Sequence, residues 1–144
     1  MNKIKKFIRV PTKDKVIYIK VLLLSALYRL IILIVPFKKL SKRMGEYNKE
    51  SIYNPNNEEI HYIYKISKII RKVCFNTPWE SKCLVQALIG QRFLYKKKIE
   101  STLFLGVSKD SRNEMIAHAW LKCGEYYVTG YNGVAFGVVA KYLK

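Results

Sequence analysis

Apolar residues crowd together early in the chain and alternate with polar ones late in it. From Val16 to Phe37 the run is almost continuously apolar. It contains Val21-Leu22-Leu23-Leu24 and Leu30-Ile31-Ile32-Leu33-Ile34-Val35, with Lys20 and Arg29 as interruptions. Thr12-Lys13-Asp14 supplies a helix start, and Pro36 supplies the stop, because a proline disfavours helical backbone in the residue before it. The pattern predicts one long helix buried on most faces. Lys38 to Gly45 follows as a basic amphipathic turn or short helix. Glu46 to Asn57 is polar, and Asn54-Pro55-Asn56-Asn57 marks a loop. Ile60, Ile63, Tyr64, Ser67, Ile70 and Val73 then recur at helical spacing within Glu58–Val73. Leu84, Ala87, Leu88, Gln91 and Leu94 do the same within Cys83–Tyr95, a third main helix ended by Lys96-Lys97-Lys98.

After residue 100 the period shortens to two. Thr102 to Val107 reads as a strand, Ser108 to Glu114 as a polar loop, and Ile116 to Lys122 as a second strand. Gly124 punctuates a hairpin turn before a third strand, Tyr126-Tyr127-Val128-Thr129. Asn132-Gly133 is another turn signal, with a fourth strand expected within Val134–Leu143. Helices first and an antiparallel sheet after them indicate an α+β fold. The chain reads as one domain, 1–144, with a helical part over 1–75 and a core over 76–144.

Size and composition support a packed domain. The 144 residues are half hydrophobic and 13% aromatic, enough to bury a core. Charge is lopsided: the net value is +17, and up to Gly45 twelve basic side chains face a single acid, Asp14. Such a field favours anionic partners, whether nucleic acid, acidic lipid, or an acidic peptide or protein. The apolar run approaches the length needed to span a membrane, but Arg29 would then lie near its middle, at a cost of ~2.5–3.5 kcal/mol. A core helix is therefore the first reading and peripheral membrane contact the second. Cysteines Cys74, Cys83 and Cys123 are odd in number and form no CxxC, which argues against a disulfide framework or a zinc ribbon. With only His61 and His118 to add, no metal site is expected. No cofactor is expected either, since no Gly-rich phosphate loop is present. No cleavable signal is evident, and a reducing cytoplasm fits this cysteine usage, with membrane association as an adjunct.

Candidate chemistry converges on Cys83 and His118. A cysteine at a helix start and a histidine on a strand are how thiol hydrolases build a nucleophile and its base. If Ser81 is the N-cap, Cys83 lies in the first turn, with backbone N–H groups facing the thiolate and any oxyanion. If Thr77-Pro78-Trp79-Glu80 forms a capping box, Cys83 lies nearly two turns in, where the dipole helps less. His118 shares one face of its strand with Trp120, while Ala117, Ala119 and Leu121 take the other. His61 is a rival base but sits among Tyr and Ile and reads as structural. A Cys–His pair usually has a third group orienting the imidazole. No Asp follows His118. Asn132 and Thr129 rank above Glu125 for that role, and a backbone carbonyl is a further option. Trp79 and Trp120 are the expected substrate contacts. Cys74 and Cys123 are weaker nucleophile candidates.

At these residues the chain resembles a known family. Trp79-Glu80-Ser81-Lys82-Cys83-Leu84-Val85-Gln86-Ala87-Leu88, then Ala117-His118-Ala119-Trp120-Leu121-Lys122-Cys123-Gly124-Glu125, then Val128-Thr129-Gly130, are similar to the lasso-peptide biosynthesis B2 proteins. The apolar helix ending Val35-Pro36-Phe37, with Leu40 and Met44-Gly45, resembles that family's N-terminal region. The resemblance implies a stand-alone leader peptidase with a transglutaminase-like (papain-like) core, a nucleophile helix packed on a small antiparallel sheet. It implies Cys83 as nucleophile and His118 as general base, cutting a ribosomally made precursor just before its core peptide. The implied partners are that leader peptide, a small B1 recognition protein that binds it, and a separate ATP-dependent lasso cyclase. Many members place an Asp about where Gly130 stands, so the orienting role here passes to Asn132, Thr129 or the backbone.

Two other readings stand beside this one. The same dyad with an amine as acceptor would carry out transamidation. A basic module binding nucleic acid or an anionic membrane would need neither Cys83 nor His118. Against nucleic acid, the 11 tyrosines are scattered and form no stacking platform or recognition helix.

Overall fold

The computed structural model describes residues 3–144. A short helix α1 (Lys3–Ile8) precedes the long α2 (Thr12–Ile34) and the single-turn α3 (Phe37–Ser41). A two-residue strand β1 (Glu46–Tyr47) comes next, then α4 (Asn57–Phe75) and α5 (Cys83–Lys96). Strands β2 (Thr102–Lys109), β3 (Met115–Cys123), β4 (Tyr126–Thr129) and β5 (Gly137–Leu143) complete the α+β fold. The sheet order is β1-β5-β2-β3-β4 and every pairing is antiparallel. β5 therefore returns past the β3–β4 hairpin to pair with β2, and β4 is left as an edge strand.

Local chemistry sets the element ends. Asn56 caps α4: its side chain accepts from the Glu59 N–H while the Glu59 carboxylate accepts from the Asn56 N–H, each at 2.9 Å. The loop expected at 54–57 thus ends in a helix cap. β1 was not legible as a strand, because two residues carry no period.

The core lies between the helices and one face of the sheet. Leu103, Ala119, Leu121, Cys123 and Val128 contribute from the strands, and Ala87, Leu88 and Leu94 from α5. A second cluster joins α2, α4 and α5 through Val21, Ile66, Ile70, Val85 and Ile89. Tyr28, Ile32 and Tyr62 pack against both clusters, so the two are continuous. Close approach of α5 to the sheet depends on Gly90, where an added Cβ would meet Leu121 Cδ2 at 2.8 Å.

The long helix departs from expectation. Thr12–Ile34 matches the predicted bounds, but only Val21 and Ser25 are buried, and the face from Val16 to Ile34 that points away from the domain is exposed. α2 is apolar on all sides, whereas α4 and α5 are there to cover only one of them. Periodicity reports that a face is apolar; it does not report what covers it.

Candidate active site

Cys83 is the first residue of α5, with Lys82 as N-cap in an extended conformation and no side chain capping the helix. Neither alternative cap is used. Thr77 Oγ1 instead lies 2.9 Å from Ser81 Oγ and within hydrogen-bond distance of the Cys74 and Trp79 carbonyls, which closes the turn before α5. The Gln86 side chain, one turn on, donates to the Ser81 carbonyl at 2.9 Å. Cys83 is thus in the first turn, half-buried, at an uncapped helix N-terminus whose leading N–H groups have no intrahelical partner. The other two thiols are different. Burial pushes Cys74 and Cys123 up to about 11, which keeps both protonated and inert near neutrality.

The loop before Cys83 is tied to α2. Trp79 Nε1 donates to Ser25 Oγ at 3.1 Å, and Glu80 bridges Arg29 and Lys82 at 3.1 and 3.0 Å. The Lys82 hydrogen bond, with the charges of Lys82 and Arg29, holds the Glu80 carboxyl below its usual range. The Trp79 indole N–H is therefore engaged with α2, and Trp79 does not line the His118 cleft.

His118 lies on β3, where the pleat puts His118, Trp120 and Lys122 on one face and Ala119, Leu121 and Cys123 on the buried face toward α5. Its ring is 4.9 Å from Phe136 and 6.1 Å from Trp120, centroid to centroid. His118 Nε2 is 2.6 Å from the Gly130 carbonyl oxygen. A carbonyl can only accept, so Nε2 donates, and in the neutral imidazole this leaves Nδ1 as the nitrogen with the lone pair.

The hydrogen-bond partner of His118 is a backbone group. Thr129 Oγ1 is buried without a partner among the described residues, and Asn132 Oδ1 accepts from the Val134 N–H at 3.0 Å. Neither side chain takes the orienting role expected of it, and Glu125 is exposed at the turn. Gly130 reaches the imidazole because it is a glycine. At φ +81°, a Cβ here would lie 2.6 Å from the Ala119 oxygen and 2.7 Å from Trp120 Cβ. The Asp that the resemblance would put near this point has no room on this backbone.

Cys83 and His118 sit on adjoining elements. No hydrogen bond joins them among the described residues, since α5 covers the inner face of β3 and the imidazole occupies the outer one. Ala117 and Ala119, on either side of His118, project only methyl groups on the α5 side.

Two depressions flank this region. A cleft of about 360 Å³ is walled by His118, Trp120, Tyr131, Asn132 and Phe136. Trp120, stacked on Phe104 at 5.4 Å, is thus a cleft residue, and Phe136, in the loop just before β5, is another that left no sequence signal. A groove of about 1030 Å³ is lined by every residue from Glu125 to Tyr131, facing Lys65, Lys68 and Arg71 of α4 and Gln86 of α5. A cavity against the face of a strand touches alternate residues; contiguous lining means that this one runs along the edge of β4. Gly130 belongs to both depressions. Among the described residues, no three His, Cys, Asp or Glu side chains gather as a metal site would require.

A family model described as Transglutaminase-like superfamily matches residues 31–141, a stretch that includes Cys83, His118 and the His118 cleft. No curated protein and no solved structure matches the chain.

Proposed function

Because the chain belongs to the transglutaminase-like superfamily, typically cysteine-dependent peptidases and transferases, we propose that it is a cysteine peptidase that removes the leader from a ribosomally made lasso-peptide precursor. The observation that carries the reading is the His118–Gly130 hydrogen bond. It fixes the imidazole tautomer with Nδ1 as the free base, on the strand that α5 packs against. Cys83 at an uncapped helix N-terminus supports the other half of the dyad.

In this mechanism His118 Nδ1 takes the proton from Cys83 Sγ as the sulfur attacks the scissile carbonyl carbon, a contact that is absent in this structure and requires the imidazole to swing from the outer face of β3 to the α5 N-terminus when substrate binds. The oxyanion is held by the leading N–H groups of α5, which have no side-chain competitor. Collapse of the tetrahedral intermediate breaks the C–N bond. The imidazolium passes its proton to the leaving amine, and a thioester to Cys83 remains. Water, deprotonated by the same nitrogen, then releases the acid. An extended leader fits the β4 edge, where a peptide can add as a further strand, and Lys68 and Arg71 favour acidic residues in it.

Mass spectrometry tests the reading. The precursor peptide is mixed with its leader-binding partner and either the native protein or Cys83→Ala. Leader release by the native protein alone is expected. Equal cleavage by both would remove Cys83 as nucleophile, and an amide product when a primary amine is added would identify a transferase.

A further inference from the structure

The outer face of α2 has no partner among the described residues. Val16, Ile19, Leu23, Leu27, Leu30 and Ile34 follow one another at intervals of three or four residues and are all exposed, Leu23 at 65% and Ile34 at 67%. At 100° per residue this spacing makes one continuous stripe, on the side opposite Val21 and Ser25. Ile4, Phe7 and Ile8 of α1 are exposed as well, extending the apolar surface beyond the start of α2. Large contiguous apolar patches on a folded domain mark a place where something binds.

Charge identifies what binds. Lys13 and Lys20 are exposed beside the stripe, α1 contributes Lys3, Lys5 and Lys6, and Lys38, Lys39, Lys42 and Arg43 cluster past its far end. The single acid of this region, Asp14, is engaged by Lys65. Apolar side chains rimmed at both ends by cations match the acyl boundary and headgroups of an anionic lipid surface. A crossing orientation does not fit, although α2 is long and apolar enough to cross a membrane. Ser25 is bonded to Trp79, Arg29 is paired with Glu80, and Val21 is packed in the core, so spanning would strip α2 from its own domain.

We propose that α2 lies flat on an anionic membrane surface, its Val16–Ile34 stripe entering the interface while the sheet and the His118 cleft stay in water. The proposal is independent of the peptidase reading. Co-sedimentation of the full chain with vesicles tests it. One set is equal parts phosphatidylglycerol and phosphatidylcholine, the other phosphatidylcholine alone. Binding to the anionic vesicles is expected, weaker by about tenfold or more on the neutral ones and in high salt. The double variant L23Q/L27Q, at two exposed positions, is expected to keep its circular dichroism and lose the binding. A second variant, K38E/K39E, is expected to weaken it with the stripe intact. Equal binding to both vesicle types, or resistance to alkaline extraction as for a spanning helix, would overturn the proposal. So would absence of vesicle binding together with self-association that L23Q/L27Q abolishes, which would assign the stripe to a second copy of the chain.

Discussion

Three cysteines in one short chain sit in unlike surroundings. With Cys74 and Cys123 at about 11, roughly one part in a thousand of either is thiolate at pH 8. Brief alkylation at that pH, read by peptide mass spectrometry, is expected to modify Cys83 first and leave the other two untouched in the folded protein. Labelling of Cys74 at a similar rate would refute the assignment of nucleophile by burial. Gly130 is the next sensitive position. Gly130→Ala puts a side chain into left-handed backbone, costing ~1–2 kcal/mol before the contact with the Ala119 oxygen is counted. It is expected to lower the melting temperature and, by displacing the carbonyl from His118, the rate of leader release. Thr129→Val goes the other way. It removes a buried hydroxyl that has no partner, so stability should rise by up to ~1 kcal/mol with cleavage unchanged. A loss of activity in that variant would restore Thr129 to the site. Asn132 and Thr129 were the side chains legible as orienting groups and a backbone carbonyl was the further option; that option is the one used, but a carbonyl has no residue-type signature, so the sequence could not rank it first.

α5 is held by a contact that its apolar spacing does not reveal. Gln91, buried on its inner side, donates to the Met44 carbonyl at 2.7 Å and so ties the helix to the segment entering β1. Gln91→Ala leaves that carbonyl buried and unpaired, with an expected loss of ~1–3 kcal/mol in chemical denaturation. An unchanged midpoint would mean that water replaces the amide. Elements with a clean period were legible: α4, α5, β2, β3 and β4 all fall within a few residues of their predicted bounds, because burial on one face imposes the period. β1 and α1 are too short to show one. α2 shows the converse limit, a helix apolar all round whose period cannot say which side meets the domain.

The whole molecule carries its net charge of +17 on a core closed by two linked apolar clusters. Raised thiol values make its stability sensitive to alkali. An unfolded cysteine ionises near 9 and the folded Cys74 and Cys123 near 11, so this contribution is fully present below pH 9 and is lost as pH rises toward 11. Denaturation midpoints at pH 8, 9, 10 and 11 are expected to fall, and C74S/C123S to flatten the decline between the last three. The positions of the two indoles have a practical side. The chain has just two tryptophans, and they stand on different parts of the site: Trp79 against Ser25 in the loop before Cys83, and Trp120 beside His118. With Trp79→Phe the fluorescence comes from the cleft alone, and with Trp120→Phe from the α2 contact alone. The protein is thus its own two-channel optical reporter, able to tell a ligand arriving at the sheet from a disturbance reaching Cys83 through the long helix.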